Sequence, residues 1–264
     1  MSNKIKFKLA LIVIILILFN PVDVFGSESI LITYSDRMND IIFDGKWTHK
    51  TEWKNSSADK LSLDNMEIEL RTAHQENFIF ILVDVIGDTH LDQGSDKVIL
   101  CFDTKNDKTS KPGIDDYCFM SVLGRNVPFT FQGNSSFTIN GYLKKIPNPE
   151  NLIGVGSSSD ENDRYSKTLH TSYEFKIPTD LIGRSNVYGF YLNLYDAHQN
   201  KYFSWPENNT SNNLLHITSP INWGELVSPD KSLPEFKLPF FVLIPSLFLI
   251  IYLTNFKKFI KIFS

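Results

Sequence analysis

Val98-Ile99-Leu100-Cys101-Phe102 and Tyr117-Cys118-Phe119-Met120-Ser121-Val122 flank residues 103–116, a polar stretch with Asn, Asp, Pro and Gly. Apolar runs of this length, bounded by turn-forming residues, read as two paired strands. If they pair around residues 109 and 110, Cys101 faces Cys118, Phe102 faces Tyr117 and Asp103 faces Asp116. Working outward, Phe78-Ile79-Phe80-Ile81-Leu82-Val83 is apolar at every position and reads as a strand buried on both faces. Met66-Glu67-Ile68-Glu69-Leu70-Arg71 alternates, as a half-exposed strand does. Phe129–Phe131, Phe137–Leu143, Thr171–Ile177 and Val187–Tyr195 complete the strand set. Pro178 to Gly183 reads as one helical turn, with Pro at its start and Gly at its end. Many short strands and almost no helical pattern predict an all-β fold, an antiparallel β-sandwich of jelly-roll-like form.

The ends of the chain set its expected location. Lys4, Lys6 and Lys8 precede an unbroken apolar run, Leu9 to Phe19, and small or aliphatic residues at Val24 and Gly26 suit cleavage after Gly26. That order is a secretory signal peptide over residues 1–26, and the apolar run is short for a membrane span. An uncleaved signal anchor is the alternative. Leu238 to Phe256 carries no charge, and its helix would be ~28 Å long, close to the hydrocarbon thickness of a bilayer. Lys257, Lys258 and Lys261 follow it and by the positive-inside rule stay in the cytoplasm. The expected organisation is an extracytoplasmic β-sandwich at 27–226, a Pro-containing stalk at 227–237, a transmembrane helix at 238–256 and a basic cytoplasmic tail at 257–264. The protein would thus be single-pass in the cell membrane. A basic C-terminus argues against replacement of the tail by a glycolipid.

Residues 27–236 hold 29 Asp and Glu against 19 Lys and Arg, which argues against nucleic acid and against adsorption to anionic lipid. Asn-x-Ser/Thr acceptors occur at Asn55, Asn134, Asn208 and Asn209. In an oxidising compartment the two cysteines, Cys101 and Cys118, are expected to form a disulfide, with a pair of buried thiols as the alternative. Opposed Asp103 and Asp116 repel. With Asp107, Asp115 and Asn106 nearby, a bound cation would relieve the repulsion, and all-oxygen donors favour calcium over zinc. The spacing is not that of an EF-hand, because the alternate-position pattern is missing and Ile114 stands at the twelfth position. A solvated acidic loop with a bulge is the alternative. A second group, Asp84, Asp88, Asp92 and Asp96, has no coordination spacing; Asp84 interrupts a buried strand and the other three are expected to decorate a long turn.

Six stretches in order resemble the carbohydrate-binding-module family 9-like group of β-sandwiches, related to the DOMON-like domains. They are Asp44-Gly45-Lys46-Trp47 with Glu52-Trp53; Asn77 to Val85 with Gly87-Asp88; Asp96 to Asp103 with Asp115-Asp116-Tyr117; Tyr173 to Pro178 with Leu181; Val187 to Asp196; and Trp205-Pro206 with Trp223-Gly224. They run from about residue 41 to 226. The resemblance implies a sandwich fold, with sugar binding in some members, haem binding in some branches and no known ligand in others.

Sugar binding needs exposed aromatic faces beside hydrogen-bonding groups. The candidates are Trp205, Trp53 and Tyr202, with Tyr188 and Tyr195 behind them; Trp47 and Trp223 occupy motif positions that read as structural. Haem is disfavoured: Met38, Met66, Met120 and the histidines His49, His74, His90, His170, His198 and His216 show no pairing in sequence. No nucleophile elbow, zinc-protease helix or phosphate loop is present, so an enzyme is not expected. The leading expectation is a surface-anchored, non-catalytic module binding carbohydrate or a glycan-bearing partner. The alternatives are a structural or assembly protein of the cell envelope and a haem-bearing electron carrier.

Overall fold

The computed structural model describes residues 28–207 and 213–229. The expected signal segment (1–26), membrane span (238–256), cytoplasmic tail and the acceptors Asn208 and Asn209 lie outside those residues. Among the described residues no helix is long and apolar enough to cross a membrane.

Among the described residues fourteen strands form. In chain order they are β1 Ser29–Leu31, β2 Thr33–Tyr34, β3 Ser57–Leu63, β4 Met66–Gln75, β5 Phe78–Val85, β6 Lys97–Asp103 and β7 Asp116–Val122. These are followed by β8 Phe129–Thr138, β9 Gly141–Ile146, β10 Ile153–Ser158, β11 Thr171–Pro178, β12 Val187–Asp196, β13 Lys201–Trp205 and β14 Gly224–Val227. One sheet runs β1-β14-β12-β6-β7-β8-β9, with β13 sharing an edge of β12 with β14; the other runs β10-β11-β5-β4-β2, with β3 also on β4. The pairings are antiparallel except β1–β14 and β2–β4. The expected helical turn falls at Thr179–Ile182, closed by Gly183 at φ 70°.

The β6–β7 register is the expected one: Cys101 pairs with Cys118, Phe102 with Tyr117 and Asp103 with Asp116. Two expectations are corrected. Phe137 to Leu143 is not one strand, because β8 ends at Thr138 and the chain turns through Asn140 into β9; Gly141, at φ 73°, takes the left-handed conformation the turn needs. The domain also does not stop at Leu226: β14 continues to Val227, and Ser228 is buried with its N–H donated to Asn186 O.

The main core lies between the sheets. Val98, Leu100, Phe102, Phe190 and Leu192 of one sheet meet Ile68, Leu70, Ile81, Val83 and Phe175 of the other. Two further apolar layers lie outside it, and they explain why β5 is apolar on both faces. Met38, Ile41, Trp47 and Trp53, from the segment before β3, cover Ala73, Phe80 and Leu82 on the outer face of the smaller sheet. Leu215, Ile217 and Trp223 cover Ile99, Cys101, Cys118, Phe131 and Tyr191 on the outer face of the larger one. Alternation along a strand puts half its apolar residues on each face, so strands this apolar need cover on both.

Candidate functional site

The outer face of the larger sheet can be read row by row from its registers. One row crosses four strands as Tyr191, Cys101, Cys118 and Phe131, and continues to Lys145 on β9. The next is Asn193, Ile99, Met120 and Phe129. The third is Tyr202, Tyr195, Lys97 and Val122. The first row is closed: Cys101 and Cys118 form a disulfide, and Trp223 stacks on Tyr191 with ring centroids 6.1 Å apart. Asn193 fixes the covering loop by donating from Nδ2 to Leu215 O at 2.9 Å and His216 O at 3.2 Å.

The loop also covers Asn193 and Ile99 at one end of the second row, and stops short of Met120 and Phe129 and of the third row. They floor an open groove of about 610 Å³ lined by Lys97, Met120, Val122, Phe129, Lys145 and Tyr195, with Leu214 and Leu215 on one wall and Asn140 and Arg125 among the rest. Lys97 Nζ lies 4.5 Å from the Tyr195 ring centroid, and Lys145 Nζ lies 4.2 Å from that of Phe129. Tyr202 is half-exposed, 4.6 Å from Tyr195 and stacked 3.9 Å from His216. Burial lowers the Lys97 pKa. His216 is also lowered, by desolvation first and then by the Lys97 charge. Asn140 adjoins a second, smaller pocket of about 180 Å³ that also includes Phe137, Tyr142, Asn213 and Asn222. Ring faces beside amides, a phenol and ammonium groups can stack on a sugar and fix its hydroxyls.

The two tryptophans expected to hold sugar are elsewhere and covered, which corrects that expectation. Trp205 points inward, 7% exposed, against Phe190. Its ring passes so close to Gly224 that a Cβ there would lie 2.5 Å from it. Trp53 is fully buried, and its Nε1–H donates to Glu174 Oε1 at 2.9 Å, while Gly45 N–H donates to Glu174 Oε2 at 2.8 Å. Burial pushes the Glu174 pKa well above the usual carboxylate range, against the pull of those two donors. Gly45 sits at φ 87°, with Ser157 only 2.8 Å from where its Cβ would be. The Asp44 to Trp53 stretch is therefore a clamp on β11, and neither indole offers a free face. Tyr188 is buried as well, with its hydroxyl donated to Gly183 O. Of the three leading aromatic candidates, only Tyr202 borders the groove. A polar loop beside a ring, as beside Trp205, does not mark a ligand platform; the informative signal is parity, since Tyr195, Lys97 and Met120 share the outward face of the cysteines.

Among the described residues, acidic and metal-ligating side chains gather at three places, the third being Asp84, Asp163 and His170. At the β6–β7 loop, carboxylate oxygens of Asp103, Asp107 and Asp115 lie within 4.8 Å of one another. Asp103 accepts from Asp107 N–H and Lys108 N–H, and Asp116 accepts from Gly113 N–H at 2.6 Å. The other Asp116 oxygen and Asn106 Oδ1 are buried without a hydrogen-bond partner. Asn106 Nδ2 donates to Glu225, and Lys105 pairs with Asp115. Burial, with added repulsion from Asp103, Asp115 and Asp107, pushes the Asp116 pKa up to about 7. Repulsion across the hairpin is thus met in part by backbone donors and in part by a shifted proton equilibrium.

The second gathering corrects another expectation. Asp88 and Asp96 do not decorate a turn surface; they are buried and share a site with Asp196, their oxygens within 4.8 Å of one another. Burial, reinforced by Asp96 and Asp196, raises Asp88 to about 7. Asp84 is also buried, but it faces His170: Nε2 lies 2.8 Å from Asp84 Oδ1, and Nδ1 contacts Thr168 O and Ser159 Oγ. Among the expected glycan acceptors that are described, Asn55 is exposed and Asn134 half-exposed.

No family profile matches the chain, and no curated protein matches it by sequence. Solved structures similar to it include two sugar complexes. One is a family 9 carbohydrate-binding module from Caldicellulosiruptor kristjanssonii in complex with cellotriose, at 13% identity and TM-score 0.49, covering 76% of this chain and 93% of that one. The other is a family 9 module of the same organism in complex with glucose, at 13% identity and TM-score 0.48, covering 76% and 95%.

Proposed function

We propose that this chain is a non-catalytic carbohydrate-binding module whose ligand, a glycan or a glycan-bearing partner, lies in the groove on the outer face of the larger sheet. The observation that carries the reading is the uncovered part of the outer face, which puts Phe129, Tyr195 and Tyr202 on one open side with Lys97, Lys145 and Asn140 around them. In the proposal, residues 1–26 direct export and are cleaved after Gly26, the residues beyond the sandwich are a stalk and a membrane span, and Asn55 and Asn134 are the accessible glycan acceptors. Calcium at Asp103, Asn106, Asp107, Asp115 and Asp116 is part of the proposal; its support is the two buried, unpartnered oxygens on Asp116 and Asn106. Haem is not part of it. The test is retention of the full chain on immobilised glycans, compared with Phe129→Ala and Tyr195→Ala. Loss of retention in both variants, with their melting midpoints kept, supports the groove. Retention unchanged in both refutes it, and no retention on any glycan favours a structural envelope protein.

A further inference from the structure

The groove differs in charge from the domain around it. Residues 27–236 hold 29 acidic side chains against 19 basic ones. Yet the groove is lined by Lys97, Arg125 and Lys145, with no carboxylate among its lining residues. Four lysines elsewhere meet carboxylates, Lys46 with Asp160, Lys60 with Glu67, Lys105 with Asp115 and Lys201 with Asp64, while Lys111 and Lys176 lie singly over rings; the groove gathers three cations on one face. Among the described residues the three groove cations form no pair with a carboxylate.

Lys97 is the most telling of the three. It is half-buried, and burial is the sole cause of its lowered pKa, so no carboxylate offsets the desolvation of its ammonium. Its neighbours are the rings of Tyr195 and Tyr202, 4.5 and 5.8 Å away. A ring face attracts a cation but leaves its N–H donors without acceptors. Lys145 repeats the arrangement over Phe129. A half-buried ammonium held by rings alone would gain most from an anionic acceptor that enters the groove.

We infer that the groove takes an anionic glycan, a polymer whose sugar rings carry carboxylates, with Lys97, Lys145 and Arg125 on the carboxylates and Phe129 and Tyr195 against the sugar rings. This rests on the reading of the groove as a carbohydrate site. A neutral sugar would stack on the same rings but would leave the three cations without an anion.

The test uses the full chain and three probes: oligogalacturonate as the anionic glycan, cello-oligosaccharide as the neutral one, and polyglutamate as an anionic polymer without sugar. Isothermal titration at low and high salt reads the affinities. The expected result is binding of oligogalacturonate that weakens with salt and falls by about tenfold in Lys97→Gln, the scale of one charge-assisted hydrogen bond. Lys145→Gln, at an exposed position, gives a second reading if Lys97→Gln fails to fold. Cello-oligosaccharide bound with no oligogalacturonate binding overturns the inference and leaves the carbohydrate reading standing. Polyglutamate bound as tightly as oligogalacturonate overturns it too, because charge alone would then suffice. Binding of neither glycan overturns both.

Discussion

Reducing the Cys101–Cys118 disulfide should cost this domain about 3 kcal/mol. The bridge joins residues 17 apart in sequence, and closing a loop of that size removes roughly this much chain-entropy stabilisation from the unfolded state. For a domain of this size each kcal/mol moves the melting midpoint by about 2–4 °C, so the expected fall is about 6–12 °C. Both cysteines are fully buried beneath Trp223 and Ile217, so reductant added to the folded protein would act slowly. The experiment is therefore to unfold the chain, refold it with and without reductant, and compare midpoints by differential scanning fluorimetry. The effect should appear in the Cys101→Ala/Cys118→Ala variant as well, enlarged by the loss of buried sulfur. Equal midpoints for the oxidised and reduced protein would refute the entropic argument. It would mean that β6 and β7 are held together in the unfolded ensemble without the bridge, or that refolded protein does not contain it.

Three other outcomes follow from the buried polar groups and rings. Glu174→Gln replaces one of two acceptor oxygens by a donor, so either Gly45 N–H or Trp53 Nε1–H is left facing an NH₂ group. A loss of about 1–3 kcal/mol in urea unfolding is expected, and an unchanged midpoint would show that the clamp contributes nothing. Trp205→Ala should lower stability by about 3–5 kcal/mol, because it empties a core position between Phe190 and Gly224; a stable variant that loses glycan binding would contradict its burial. Asp88 and Asp116 are raised from 3.8 to about 7. Raised acids bind protons more tightly when folded, so their contribution is fully present below the unfolded value near 3.8 and is lost as pH rises through about 7. The midpoint should therefore drop across that window in chelator, and calcium should reverse the drop. Identical midpoints with calcium and with chelator at the alkaline end would rule out a cation at either cluster.

The hairpin was legible because two constraints met in it. Apolar runs bounded by turn residues named the strands, and two cysteines fixed their offset, so the pairing of Asp103 with Asp116 followed. The tryptophans were not legible in the same way. A Trp beside a polar loop, such as Trp205 before Glu207, has no local mark that tells a core ring from a sugar platform. Its side is set by the parity of β13 against β12, where Trp205 pairs with the inward Leu192. The short strands β1, β2 and β14 were missed for a related reason: β1 and β14 join opposite ends of the described chain, and β2 pairs with residues 40 positions on. Asp88 and Asp96 looked like turn residues because a turn does contain them. Only the return of β12, ending at Asp196, encloses them.

The same long-range packing decides where a ligand can sit. Both sheets are too apolar to leave an outer face in water, and each is covered by a segment with few strands of its own. On the smaller sheet the cover is complete enough to fasten Trp53 and Gly45 to Glu174. On the larger sheet residues 213–223 cover the disulfide row and are held by Asn193 and Tyr191. The cover ends at the rows that change character, from Cys101 and Tyr191 to Lys97 and Tyr195. Amphipathic side chains tolerate partial exposure that Ile99 or Phe131 would not, so the boundary of the cover is written in the sequence of the strands beneath it. The groove is the part of an apolar sheet face that long, charged and phenolic side chains make stable in water, and those same side chains are the ones able to grip a sugar.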